Sequence, residues 1–349
     1  MFTQGDQVFG GFGGNSDWVF STKDAAPAAG TDRVVVAADG TGDFATVQGA
    51  VDFVPKKNAT PVTIFIKKGT YTEIVCFVAK NNVTFLGEDR DQTVVAYSNN
   101  NSFQPNLATP QNQFGGSSYR RGVFMGLNSS GVVLANFTIR NTTRKGGSQA
   151  EAIVFKEVRG QGGPNVSQTI LTHMSLYSFQ DTLQISGKAY LDDTYVEGDT
   201  DYMWGNGPCY FVNCSFKTLT NRTSFTQPRN AADHHGFVFV DCKFDGAKGV
   251  TSATLGNGNG SSEVALIHCA LGSMLAPMGW NSRGANNCEY GTTNLSDGKP
   301  YDMSGWPDWV KHLTIEKDGE AIGNYRNPTW VLEGWSPVVP DVAATKPGV

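Results

Sequence analysis

Two aspartates in the segment FQDTLQISGKAYLDDTYVEGDTDYMWG, residues 179–205, have the types and spacing to do chemistry: Asp181 in FQDT and Asp201 in TDYMWG. They are 20 residues apart, and both lie in polar, Gly-flanked settings at the ends of strand-like runs. Two carboxylates held side by side disfavour double ionisation, so one holds a proton and the pair divides into an acid and a base or nucleophile. A solvated ladder of like residues is the plainer alternative. The choice depends on the elements that carry the two residues.

Those elements repeat. VVLANFTI (132–139), TILTHMSL (169–176), AYLDDTYV (189–196), CYFVNCSF (209–216), FVFVDCKF (237–244) and VALIHCAL (264–271) each begin with an apolar run and carry a polar residue at the fifth place. The fifth-place residues are Asn136, His173, Asp193, Asn213, Asp241 and His268, at successive spacings of 37, 20, 20, 28 and 27. One strand per unit with no helical pattern between units predicts a chain wound on itself as a single-domain, all-β parallel β-helix, each coil stacking on the last. VTIFIKK and NNVTFLGE supply its first turns. The expected organisation is an N-terminal extension (1–30), the solenoid (31–294) and a C-terminal tail (295–349) packed on the outside. Asp181 follows His173 by eight residues and Asp201 follows Asp193 by eight. The pair therefore stacks on consecutive coils, about 4.7–4.9 Å apart.

Composition agrees and excludes several classes. The 349 residues include 41 Gly and only 17% charged residues, the usage of strands joined by tight turns. A net charge of −5 provides no basic field for nucleic acid, and no apolar run approaches the roughly 18 residues of a membrane span. No nucleic-acid or membrane partner is expected, and the chain is read as a monomer. It opens at MFTQGDQ without a signal peptide, so a leader is expected to be missing from this chain. Cys214, Cys242 and Cys269 share the sixth place of their units and should stack inside as small hydrophobes. Without a CxxC a zinc site is not expected, and a disulfide among Cys76, Cys209 and Cys288 stays open. His234 and His235 lack metal-ligand spacing and read as solvated. Asn82 and Asn141 head N-x-Thr sequons that would accept glycans in a eukaryotic secretory route.

The motifs together resemble the pectin methylesterases. ADGTGDFATVQGAV (38–51), KKGTYTEIV (67–75), SQAEAIVF (148–155), FQDTLQ (179–184), TDYMWGNG (200–207), TQPRN (226–230) and APMGWN (276–281) follow in that family's order over about 250 residues. The resemblance implies a right-handed parallel β-helix and hydrolysis of the methyl esters of galacturonate units in pectin, in a secreted or cell-envelope setting. It matches Asp201 to the nucleophile, Asp181 to the acid/base, and Gln149 and Gln180 to the glutamines that cradle the oxyanion. Such a reaction needs no metal or cofactor. By the same resemblance Trp204 and Trp280 fall where rings could stack on sugars, with a core role the alternative for each. Arg229, in a segment with Pro where the family has Gly, could bind a galacturonate carboxylate.

One position departs from the pattern. The stretch TLGNGNGS (254–261) has Asn257 where the family has an Arg that orients the nucleophilic carboxylate, and no Trp follows. Arg229 is the nearest substitute cation expected from sequence, because TQPRN and TLGN fall on successive coils. The change leaves three alternatives to pectin demethylation. One is an esterase or thioesterase acting on another ester, and another a non-catalytic polysaccharide-binding solenoid. The third is a glycosidase or lyase of the polygalacturonase kind, whose Asn-Thr-Asp, Gly-His-Gly and Arg-Ile-Lys signatures are absent here.

Overall fold

The computed structural model describes residues 27–28, 30–102, 121–157, 167–256 and 260–342. Short strands add in parallel to three stacked sheets, of eleven, nine and seven strands, and each coil contributes one strand to each sheet in turn. The six sequence units lie next to one another in the eleven-stranded sheet: Val132–Ala135, Gln168–Thr172, Lys188–Asp192, Cys209–Val212, Phe237–Val240 and Val264–Ile267. Val62–Ile66 and Val83–Gly87 precede them as expected. This is the right-handed parallel β-helix read from the sequence.

The fifth-place residues turn the corner between two sheets. Asn136, His173, Asp193, Asn213, Asp241 and His268 all have left-handed backbones, with φ between 41° and 61°. A short polar side chain tolerates that conformation far better than a β-branched one, which is why the apolar run is interrupted there. The next residue points inward. Cys214, Cys242 and Cys269 each place Sγ 3.4–3.5 Å from a carbonyl oxygen one coil back, on Leu191, Phe211 and Phe239. All six cysteines are free and buried. Cys209 and Cys288 stand in the same sheet with two strands between them, too far apart for a disulfide.

Phenylalanines fill the interior. Phe211 stacks on Phe239 at 4.4 Å, with Phe216 and Phe244 edge-on or tilted beside them. Each fully buried ring contributes about 2–3 kcal/mol. The helix Val47–Phe53 covers the N-terminal end, its start capped by the Thr46 hydroxyl and by Glu73, which accepts from the amides of Val47 and Gln48.

Strand addition runs past the expected end at residue 294, because Lys311–His312 still pairs with Cys288–Glu289. Only then do two helices, Ile315–Tyr325 and Pro328–Val331, pack on the outer face of the eleven-stranded sheet, Val331 and Leu332 meeting Tyr210, Val238 and Ile267. The histidines expected to be solvated help to hold this tail. His234 pairs with Glu333 at 2.8 Å, and half-buried His235 contacts Glu263 at 2.9 Å and the Trp330 ring at 4.2 Å.

Candidate active site

The site lies at the head of the seven-stranded sheet, where the pairing register fixes which residues meet. Ile153 pairs with Leu183 and Leu183 with Met203. Two residues before each stand Glu151, Asp181 and Asp201. The expected pair of aspartates is therefore stacked on consecutive coils, with the bridge between Gln180 and Thr200 and the bond from the Asp181 amide to the Thr200 carbonyl (3.0 Å) confirming the register. Glu151 adds a third carboxyl to the ladder. Both aspartates have positive φ, 61° for Asp181 and 46° for Asp201, a conformation that costs energy and concentrates at functional sites. Gly205, just beyond, admits no side chain: a Cβ there would lie 1.5 Å from the Ile185 carbonyl oxygen.

The sequence reading missed Arg121. Its Nε lies 2.7 and 3.0 Å from the two carboxylate oxygens of Glu151, and its Nη2 lies 2.9 Å from Asp181 Oδ2. Glu151 is wholly buried and Asp181 only 8% exposed. Burial pushes the Asp181 carboxyl up to about 7. Arg121 pulls the other way, Asp201 reinforces the rise, and Arg229 and a hydrogen bond from Gln180 oppose it. Burial likewise raises Glu151, to about 8, against the pull of Arg121. Burial outweighs the single guanidinium in both cases because one positive charge is shared among stacked acids.

Asp201 has different company. Gln227 Nε2 donates to its Oδ2 at 3.0 Å, and Arg229 Nη2 donates to Gln227 Oε1 at 2.5 Å. Arg229 thus reaches the Asp201 carboxylate through the Gln227 amide, while Arg121 meets Asp181 directly. The exposed Arg229 guanidinium also lies 4.6 Å from the centre of the Trp204 ring, with Arg121 at 5.7 Å. Trp204 lies beside both guanidiniums with only 5% of its surface open. Gln184, its register partner, is buried, and neither end of its amide has a partner among the described residues.

The half-buried glutamines Gln149 and Gln180 stand on adjacent coils, where the Ala150 amide donates to the Gln180 carbonyl at 3.2 Å. Trp280 does not belong to the site. It is 0% exposed and sits in the main core, edge-on to Trp306 at 5.9 Å and against Gly256. The Gly-Trp at 279–280 serves packing, and its large apolar ring finds more surface to bury there than in a cleft. Asn257 lies outside the described residues.

The arrangement gives a carboxyl that holds its proton near neutrality beside a second, amide-bound carboxylate, with two primary amides at the rim. That set can attack a carbonyl, stabilise an oxyanion and protonate a leaving group.

Comparison with known proteins bears on the family and the fold. The family model described as Pectinesterase matches residues 33–314. Pectinesterase QRT1 of Arabidopsis thaliana is 27% identical over 329 residues, covering 88% of this chain and 81% of that protein. The putative pectinesterase/pectinesterase inhibitor 26 of the same plant is also 27% identical, but this chain spans only 29% of its length. Among solved structures, the carrot pectin methylesterase superposes with a TM-score of 0.71 at 20% identity, over 89% of this chain and 95% of that one. PemA from Erwinia chrysanthemi gives 0.69 at 18% identity, over 90% and 100%.

Proposed function

This chain belongs to the pectinesterase family, and from that premise we propose that it removes methyl esters from the galacturonate units of pectin, with Asp201 as nucleophile and Asp181 as acid and then base. Asp201, held by Gln227, attacks the carboxymethyl carbonyl. The side-chain amides of Gln149 and Gln180 donate to the developing oxyanion without adding charge. Asp181 passes its proton to the departing methanol, then takes one from the water that opens the acyl-enzyme anhydride. A solved pectin methylesterase bound to a hexasaccharide shares the fold, which supports a pectin chain as the substrate.

The observation that carries this reading is the unequal pair: stacked carboxyls, one buried beside Arg121 and held protonated near neutrality, the other bound by an amide. Asn257, at the place of a family Arg, favours one second reading, hydrolysis of a different ester by the same residues. Methanol release from highly methylated pectin, measured beside a panel of small esters, tests both. Pectin turnover supports the first reading, and turnover confined to small esters supports the second. No helix among the described residues is long and apolar enough to cross a membrane. Action outside the cell, by a monomer, completes the proposal.

A further inference from the structure

Three carboxyls and one guanidinium share the head of the seven-stranded sheet, and their arrangement is not that of one cation serving the nucleophile. Arg121 enters from the coil below Glu151, spends its Nε on both Glu151 oxygens, and has Nη2 left for Asp181. We propose that Arg121 and Glu151 form a positioning pair for the acid of the site: Glu151 clamps the guanidinium, whose free edge then fixes the orientation of the Asp181 carboxyl. The proposal deepens the esterase reading and rests on it for its catalytic consequence.

A lone guanidinium at 2.9 Å would favour the ionised carboxylate and leave no proton for the leaving group. Burial outweighs that influence at Asp181. Glu151 sits on the adjacent coil in the same register as Asp181, wholly buried, and both its oxygens meet Arg121 Nε, so it fixes where the guanidinium points. The planar guanidinium can serve both acids at once, which the compact ammonium of a lysine does less well. The charged groups that face Asp181 are Arg121, Asp201 and Arg229, with Glu151 behind Arg121. Lys145 lies nearby but is paired with Asp199, two residues before Asp201.

The double variant Arg121→Met with Glu151→Leu tests the pair, because it deletes both buried groups without stranding a charge. Two readouts apply: carboxyl NMR of the labelled Asp181 in the whole chain, and steady-state kinetics. Losing the guanidinium, which pulls Asp181 down, should raise its titration midpoint. Losing its orientation should lower kcat about 10–100-fold with KM little changed. A midpoint that stays or falls overturns the proposal, and so does wild-type kcat. A raised midpoint where the wild type hydrolyses no ester upholds the pair and removes the esterase reading alone. If the double variant does not fold, Arg121→Lys keeps the charge, loses the planar fork and should show the same split between kcat and KM. Unchanged kcat there overturns the proposal too.

Discussion

Replacing Asp181 with Asn removes a buried ionisable group while keeping its shape, and the surroundings set the sign of the effect on stability. The wild-type carboxyl is pushed up to about 7 in the folded chain from an ordinary value of 3.8, first by burial and next most, on the raising side, by Asp201. A carboxyl raised on folding contributes stability fully present below the unfolded value and lost as pH rises through the folded one. Between about pH 4 and pH 7 the wild type therefore loses stability at this residue. The full difference corresponds to about 4 kcal/mol as an upper limit. The variant has nothing to ionise, but it gives up a charge-assisted hydrogen bond from Arg121, worth about 1.5–3 kcal/mol. Arg121 is not stranded, because Glu151 still holds its Nε. The net expectation at pH 8 is a gain of about 1–2 kcal/mol, or, for a chain of 349 residues, a melting temperature higher by about 1–3 °C. At pH 4 the gain should vanish or reverse. Calorimetry of the two proteins at both pH values checks this, with turnover in the variant reduced about 10²–10⁴-fold by the missing proton transfer. A variant less stable than wild type at pH 8 would show that the Arg121 pair, and not burial, governs Asp181, and the acid assignment would fail with it.

Other expectations follow from individual contacts. Gln227→Leu removes the amide that holds Asp201 and should lower kcat about tenfold, the worth of one hydrogen bond to a charged group, whereas Arg229→Ala, one step further away, should cost less. Steady-state kinetics giving the reverse order would mean that Arg229 acts on Asp201 or on substrate directly. The buried thiols should resist a thiol reagent in the native chain and all six should react after unfolding, as a colorimetric titration would show. The Asn141 amide donates to the carbonyls of Asn99 and Glu151 inside the fold, so peptide mass spectrometry of the chain secreted from a eukaryotic host should find it unglycosylated despite its sequon. A glycan there would contradict its burial.

The coil and the aspartate pair were legible because both depend on local rules. A polar residue able to adopt a positive φ must recur wherever the chain turns between sheets, and that recurrence gives the register and, with it, the stacking of Asp181 on Asp201. Arg121 was not legible from spacing. It lies 60 residues from Asp181 in sequence and meets it only because the strands Phe124–Leu127, Ile153–Lys156 and Leu183–Ile185 are neighbours in one sheet. The one available signal was Glu151, a charged residue beside the apolar run AIVF, where burial without a partner would be costly. Trp280 misled for the opposite reason: a Gly-Trp reads alike whether the ring faces a cleft or a core. The tail boundary was placed early because Lys311–His312 is too short and too polar to announce a strand.

The account stands on Asp201 as the attacking carboxylate. Asp201→Asn replaces it with a poor nucleophile of the same shape, so the variant should keep the far-UV dichroism of the wild type and release no measurable methanol from highly methylated pectin. Near-normal methanol release by a correctly folded Asp201→Asn protein would contradict it.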